Sequence, residues 1–171
     1  AQLDMNDFYA IGTDVDPFAL MDLSVDAASW VALDAVLETD GAGGFVFDLY
    51  NDQDYKFVAL SEDADELQIG HRTPDGLSVD ALLSTAIDSA TDYNLAVTLT
   101  GNRVDVTLGG APVLSFAYNA LVTDGAFGLL SESGTVSVDS VGVRTDDPAY
   151  ADAARALAAL SHPNLLEVHD V

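Results

Sequence analysis

Residues 45–60 read FVFDLYNDQDYKFVAL. Apolar side chains alternate with others on both sides of a polar centre, Asn51-Asp52-Gln53-Asp54. Period two marks a strand, because successive side chains point to opposite faces. Asn and Asp at the centre tolerate the backbone conformations of a reversal. The stretch therefore predicts two antiparallel strands and their turn. Two features are unusual in it. The turn is as acidic as a calcium-binding loop, and the strands carry Asp48, Tyr50, Tyr55 and Lys56 where apolar residues would serve. An ordinary hairpin, a metal site and the edge of a ligand-binding surface are the readings to weigh.

The same pattern fills most of the chain. Short apolar runs predict strands near 18–25, 29–37, 43–50, 55–60, 67–73, 77–82, 93–100, 103–108, 112–118, 125–131 and 135–144. Turn signals separate them, among them Pro74-Asp75-Gly76, Gly101-Asn102, Gly109-Gly110 and Ser133-Gly134. Evenly spaced strands with such punctuation predict an all-β, two-sheet antiparallel sandwich over residues 1–147. Residues 84–92 have room for one helical turn. After Asp146-Asp147-Pro148 the chain becomes rich in Ala and Leu, and residues 148–171 read as a short C-terminal helix or a linker to a following module.

At 171 residues the chain suits one domain with a sizeable core. Its formal charge is −24, with 29 acidic residues against five Lys and Arg. A surface this negative repels phosphate backbones and anionic membranes, which argues against nucleic acid and lipid as partners. Nearly all of the acid is Asp, a residue of turns and of short-range oxygen ligation. The acidity fits a salt-adapted surface, calcium dependence, or both. There is no cysteine, so disulfides and thiolate metal sites are excluded. No apolar run approaches the ~20 residues of a membrane helix. The opening Ala-Gln-Leu-Asp carries no basic, apolar leader, as expected of a mature form or an excised domain.

Four stretches in order resemble one family: FVFDLYNDQDYKFVAL, QIGHRTPDGLSVDA, TDYNLAVTLTGNRVDVTLGGAPVLSFAY and GAFGLLSESGTVSVDSVGVR. Together they are similar to the concanavalin A-like (laminin-G-like) jelly-roll domains of large, calcium-rich bacterial secreted and surface proteins. The resemblance implies two packed sheets, an extracellular or cell-surface setting, and often glycan recognition. It does not imply catalysis, because this fold hosts both lectins and glycosidases.

With Asn51–Asp54 as a four-residue loop, Tyr50 faces Tyr55, Asp48 faces Phe57 and Val46 faces Ala59. Phe45, Phe47 and Leu49 then oppose Leu60, Val58 and Lys56 on the core side, where Lys56 and His71 meet at the rim. The other face gathers Asp48, Tyr50, Tyr55, Phe57, Gln68 and Arg72. Rings flanked by amide, carboxylate and guanidinium groups suit a sugar, whose CH-rich faces stack while its hydroxyls bond. Gly70 would let such a ligand approach the backbone. These residues, with His71, are the candidate glycan site. The bland reading of the same face is a set of cross-strand aromatic and ion pairs with no ligand. A one-residue slip in register would exchange the faces.

For calcium, the turn lacks the mid-loop Gly and closing Glu of a helix–loop–helix site. Rim carboxylates remain: Asp7 with Asp139, and the group Asp52, Asp54, Asp63 and Asp65. For glycoside hydrolysis two carboxylates must face each other across a cleft, ~5–5.5 or ~6.5–9.5 Å apart. No strand carries alternating acids of that kind, and no Glu falls clearly within a predicted strand, with Glu38 the one candidate. His71 has no identifiable Ser partner, and His162 and His169 are isolated. Phe116 and Tyr118 share one face of a strand, the core face. The sequence thus reads as a non-catalytic carbohydrate-binding or adhesion module, calcium-stabilised. A ligand-free spacer and a polysaccharide hydrolase or lyase are the alternatives.

Overall fold

The computed structural model describes residues 2–4, 9–12, 18–21, 30–147 and 167–169. Its strands are β1 (Gln2–Asp4), β2 (Tyr9–Gly12), β3 (Phe18–Met21), β4 (Trp30–Thr39), β5 (Ala42–Asn51), β6 (Asp54–Ser61) and β7 (Glu66–Thr73). β8 (Gly76–Ser84), β9 (Tyr93–Thr100), β10 (Arg103–Leu108), β11 (Ala111–Ala117), β12 (Ala126–Ser133), β13 (Thr135–Thr145) and β14 (Glu167–His169) complete them. One six-stranded sheet has the order β11-β10-β9-β4-β13-β2 and the other β3-β12-β5-β6-β7-β8, every pair antiparallel. β1 and β14 form a separate two-stranded ribbon. The expected all-β two-sheet sandwich is what the chain builds. The expected C-terminal helix falls on residues outside the described ones, apart from the three of β14.

Between the sheets lies the main core. β9 shows why: Leu95, Val97 and Leu99 are fully buried while their neighbours are partly exposed, so one face carries all the strand's apolar weight. They pack with Phe45, Phe47, Val58, Leu60, Leu67 and Ile69 of the opposite sheet. Gly43 permits close approach of the sheets, since a Cβ there would run into Val136 of β13.

A second cluster lies on the other face of the β3–β8 sheet. Val46, Leu49, Tyr55, Phe57, Ala59 and Leu130 are buried there, with Phe18 and Ala126 against them. β5 is therefore buried on both faces from Gly43 to Leu49, although its sequence alternates like a half-exposed strand.

The hairpin departs from its expected register. Asn51 pairs with Asp54, and only Asp52 and Gln53 turn, with the Gln53 amide donating to Asn51 Oδ1 at 2.9 Å. Further in, Phe47 pairs with Lys56 and Val46 with Phe57, so Asp48, Leu49 and Tyr50 together oppose Tyr55 alone. This is a bulge, and Asp48 takes a φ of 49° within it. Its effect is to exchange two side chains between faces. Leu49, expected in the main core, joins the outer cluster, and Asp48, expected on the outer face, turns in to Lys56.

The helical turn expected over 84–92 is absent. Asp65 holds that segment instead: its carbonyl accepts from the Thr85 amide at 2.9 Å and its Oδ1 from the Ile87 amide at 3.1 Å. Acceptors supplied by Asp65 thus take amides that a helical turn would draw on.

Candidate functional site

Lys56 lies on the inward side of β6, near the end of the sandwich where the β5–β6 and β7–β8 turns sit. Its ammonium forms an ion pair with Asp48 Oδ2 and stands 5.2 Å from the centre of the Tyr118 ring. The ring face is negative, so it holds a cation from the side the carboxylate leaves open. Tyr118 follows β11, and its main chain is tied to the β9–β10 turn: its amide donates to Asn102 O at 2.8 Å, and Asn102 Nδ2 donates to its carbonyl at 2.6 Å. Phe116 braces it edge-on, with ring centres 4.8 Å apart.

The Tyr118 hydroxyl reaches two acceptors, Gly70 O and Asp80 Oδ2, each at 3.0 Å. Asp80 is the extra residue where the β7–β8 register shifts, and this aims its carboxylate at β7. Its Oδ2 also meets His71 Nδ1 at 2.7 Å. A carboxylate there places the neutral imidazole's proton on Nδ1 and leaves Nε2 as an acceptor. Burial, and then the Asp80 carboxylate, raise the Tyr118 phenol far above its ordinary pKa. The hydroxyl therefore stays a donor.

These groups line a cleft of about 460 Å³. Asp54, Tyr55 and Lys56 come from β6, and His71, Arg72 and Thr73 from β7. Asp80, Phe116, Ala117, Tyr118 and Asn119 close the other side. At its outer margin the Tyr55 hydroxyl donates to Glu132 Oε2 at 2.9 Å, and Arg72 lies 3.5 Å from Glu132 Oε1. Phe18 packs edge-on against Tyr55, at 5.2 Å between ring centres. Burial and the Glu132 carboxylate push the Tyr55 phenol up to about 12.

Of the predicted glycan residues, Tyr55, His71 and Arg72 border the cleft, His71 from the inward face of the sheet and Tyr55 and Arg72 from the outward one. Tyr55, Phe57, Gln68 and Arg72 do share the outward face through the pairs Tyr55–Arg72, Phe57–Gly70 and Ala59–Gln68. That face is not an open platform, however. Phe57 is 1 % exposed, and its ring occupies the space over Gly70 that a ligand was expected to use. Gln68 is engaged by Glu66 at 2.8 Å. Tyr50 stands exposed beside the hairpin turn, its phenol pushed up to about 12 by desolvation and then by the Asp48 carboxylate, and Asp48 itself turns inward to Lys56. The expected face of Asp48, Tyr50, Tyr55 and Phe57 is thus corrected by the bulge.

Several contributors were missed, among them Lys56 as a cleft residue, Thr73 and Asn119. Asp80 carried no motif. Tyr118 and Phe116 were read as core, since alternation gives their side and not how near the strand end they lie. Glu132 fell one residue beyond the predicted strand yet belongs to β12, as Glu66 belongs to β7. No group of three or more acidic or imidazole side chains that could hold a metal ion occurs among the described residues. Asp52 and Asp54 sit at one end of β6 and Asp63 and Asp65 beyond the other, so the four are not one site. Asp65 is committed to Ile87, Asp139 is exposed on β13, and Asp7 lies outside the described residues.

No protein-family model matches the chain, and no curated protein matches its sequence. Solved structures do. The carbohydrate-binding module CBM66 from Bacillus subtilis superposes with a TM-score of 0.60 at 21 % identity, over 66 % of this chain and 73 % of that one. The Caenorhabditis elegans galectin LEC-6 gives 0.56 at 15 % identity, over 84 % and 95 %. The alginate lyase AlgAT5 of polysaccharide lyase family 7 gives 0.51 at 17 %, over 68 % and 59 %. At these identities the likeness concerns architecture. The sandwich is a jelly roll of the concanavalin A-like type, shared by binding modules and enzymes alike.

Proposed function

We propose that this protein is a non-catalytic glycan-binding module of an extracellular or cell-surface protein, and that its ligand enters the cleft between β6–β7 and Tyr118. The observation that carries this reading is the lining: the rings of Phe116 and Tyr118, an imidazole, an ammonium, a side-chain amide and carboxylates border about 460 Å³, with Tyr55 and Arg72 at its margin. That mixture serves a sugar, which needs a flat apolar contact and several directed hydrogen bonds at once. A carbohydrate-binding module and a galectin of the same fold support it as analogies. Adhesion would follow from display of the module on a surface.

The alternative, a spacer without ligand, draws on one observation: Tyr55 and Phe57 are already packed by the protein itself. A glycan microarray followed by titration calorimetry separates the two. Asn119→Ala should weaken the best ligand at least about tenfold with an unchanged melting midpoint, as loss of a directed hydrogen bond does. An array without any ligand, or Asn119→Ala and Thr73→Ala binding like the parent, would overturn the cleft as the site.

A further inference from the structure

Each cation at the cleft is already answered by an acid of the protein itself. Lys56, on the inward face of β6, is paired with Asp48, which is 3 % exposed behind it. His71 Nδ1 stands 2.7 Å from Asp80 Oδ2, so the imidazole offers no uncancelled positive charge in either protonation state. Arg72 leaves from the outward face toward Glu132, at 3.5 Å. Asp54 borders the same cleft and meets no cation among the described residues. With His71 neutral, the excess charge is therefore negative, from Asp54 and Asp80. The formal charge of −24 acts in the same sense from a distance.

The hydrogen-bonding groups left over are mainly acceptors. With its proton on Nδ1, His71 presents Nε2 as an acceptor, and the Asp54 carboxylate can only accept. Thr73 Oγ1 accepts from the Asp75 amide at 3.3 Å, which leaves its proton to donate, and Asn119 can do both. A sugar hydroxyl donates and accepts, and so fits this set. A carboxylate or sulfate only accepts. It would meet an ammonium whose charge Asp48 cancels and a Tyr118 hydroxyl already turned to Gly70 O and Asp80.

We infer that the cleft selects a neutral glycan over its acidic counterparts, with His71 Nε2 and Asp54 accepting from sugar hydroxyls and Asn119 donating. This rests on the glycan reading of the cleft. Asp48 sets the choice from beneath, since it cancels the cation that reaches the cleft from the inward face. Asp54 and Asp80 add repulsion at contact, well inside the screening length of about 10 Å at 0.1 M salt. Discrimination then comes from what the site repels as well as from what it holds.

The test is a glycan array of matched pairs, read out by calorimetry at 0.15 M NaCl. The pairs are a galactan oligosaccharide and its sulfated form, and a methyl-esterified oligogalacturonate and its free acid. In any pair that binds, the neutral member should bind at least about tenfold more tightly. Asp48→Asn leaves the Lys56 charge uncancelled and should raise affinity for the acidic member at least about threefold, with the neutral member little changed. Asp54→Asn, at the exposed turn, should narrow the preference without touching the interior, and decides the matter if the first variant does not fold. Acidic members that bind the parent as tightly as neutral ones overturn the selectivity but keep the glycan module. A preference unchanged in the folded variants overturns the electrostatic cause given for it. Binding of no glycan at all defeats the module and the selectivity together.

Discussion

Replacing Lys56 by Met tests the interior of the site. The methionine keeps the apolar stem and volume but removes the charge, leaving the Asp48 carboxylate 3 % exposed without its cation. Its other oxygen, Oδ1, already has no hydrogen-bond partner. Breaking a buried ion pair on one side costs about 3–5 kcal/mol. Lys56 is 18 % exposed, so water reaches part of the gap and the lower end applies, about 2–4 kcal/mol. Asp48→Asn should cost less, about 1–2 kcal/mol, because Asn tolerates the positive φ and the freed ammonium can turn to solvent. The double variant removes both charges and should lie within about 1 kcal/mol of the parent. Urea unfolding at pH 7 measures all four proteins, and unchanged denaturant slopes license the comparison. The coupling should exceed about 1.5 kcal/mol and hardly respond to salt, since a buried pair is poorly screened. A Lys56→Met loss below about 1 kcal/mol, or costs that simply add, would refute the burial argument.

Gly70→Ala would set a Cβ against the Ser78 carbonyl and 2.5–2.7 Å from the Phe57 ring, and should cost about 1–3 kcal/mol in the same assay; a neutral result would mean the outer cluster is loosely packed. Tyr55 ionises at about 12 in the folded protein against an ordinary 10, so the unfolded chain loses this proton first. Its stabilising contribution, complete below about pH 10, should fall by roughly 1.4 kcal/mol per unit up to about 12. Tyr55→Phe should flatten that alkaline loss in pH-dependent unfolding, and an identical profile would sink the assignment. With a formal charge of −24, adding NaCl from 0.05 to 1 M should raise the melting midpoint by screening, by about 2–4 °C for each 1 kcal/mol gained. Calcium at matched ionic strength tests the calcium reading: a raised midpoint supports it and an equal midpoint removes it.

Most of the sandwich was legible because one-sided burial writes itself as alternation, as Leu95, Val97 and Leu99 show. Strand ends were less legible, and Glu132 illustrates the consequence: one residue beyond the predicted strand hid a partner of Tyr55 and Arg72. The faces near the hairpin tip depended on register, and nothing local in Asp48-Leu49-Tyr50 announces a bulge. Its cause is tertiary. Gly125 presses so near that a Cβ there would lie 2.5 Å from the Leu49 nitrogen and 2.6 Å from the Asp48 carbonyl carbon. The burial of Tyr55 and Phe57 was equally invisible, because it rests in part on Phe18, distant in sequence. The cleft draws on residues from 54 to 119, and no local pattern spans that interval.

The bulge ties the fold to the site. In the uninterrupted register Lys56 faces Leu49, with no carboxylate beside it, and its flexible stem is free to follow water. With three residues opposite one, Leu49 gains burial in the outer cluster and Asp48 is turned inward, where an isolated carboxylate is costly. Lys56 relieves that cost, and in doing so its ammonium is held under Tyr118 at the cleft wall. A residue in the left-handed region is tolerated when its surroundings over-determine it, and such residues gather where a side chain must be aimed. Asp48 is one of two non-glycine residues among those described with positive φ. The other, Asp65, clamps the segment after β8. Each uses its backbone to place a carboxylate, one for the chain's path and one for the cation of the cleft.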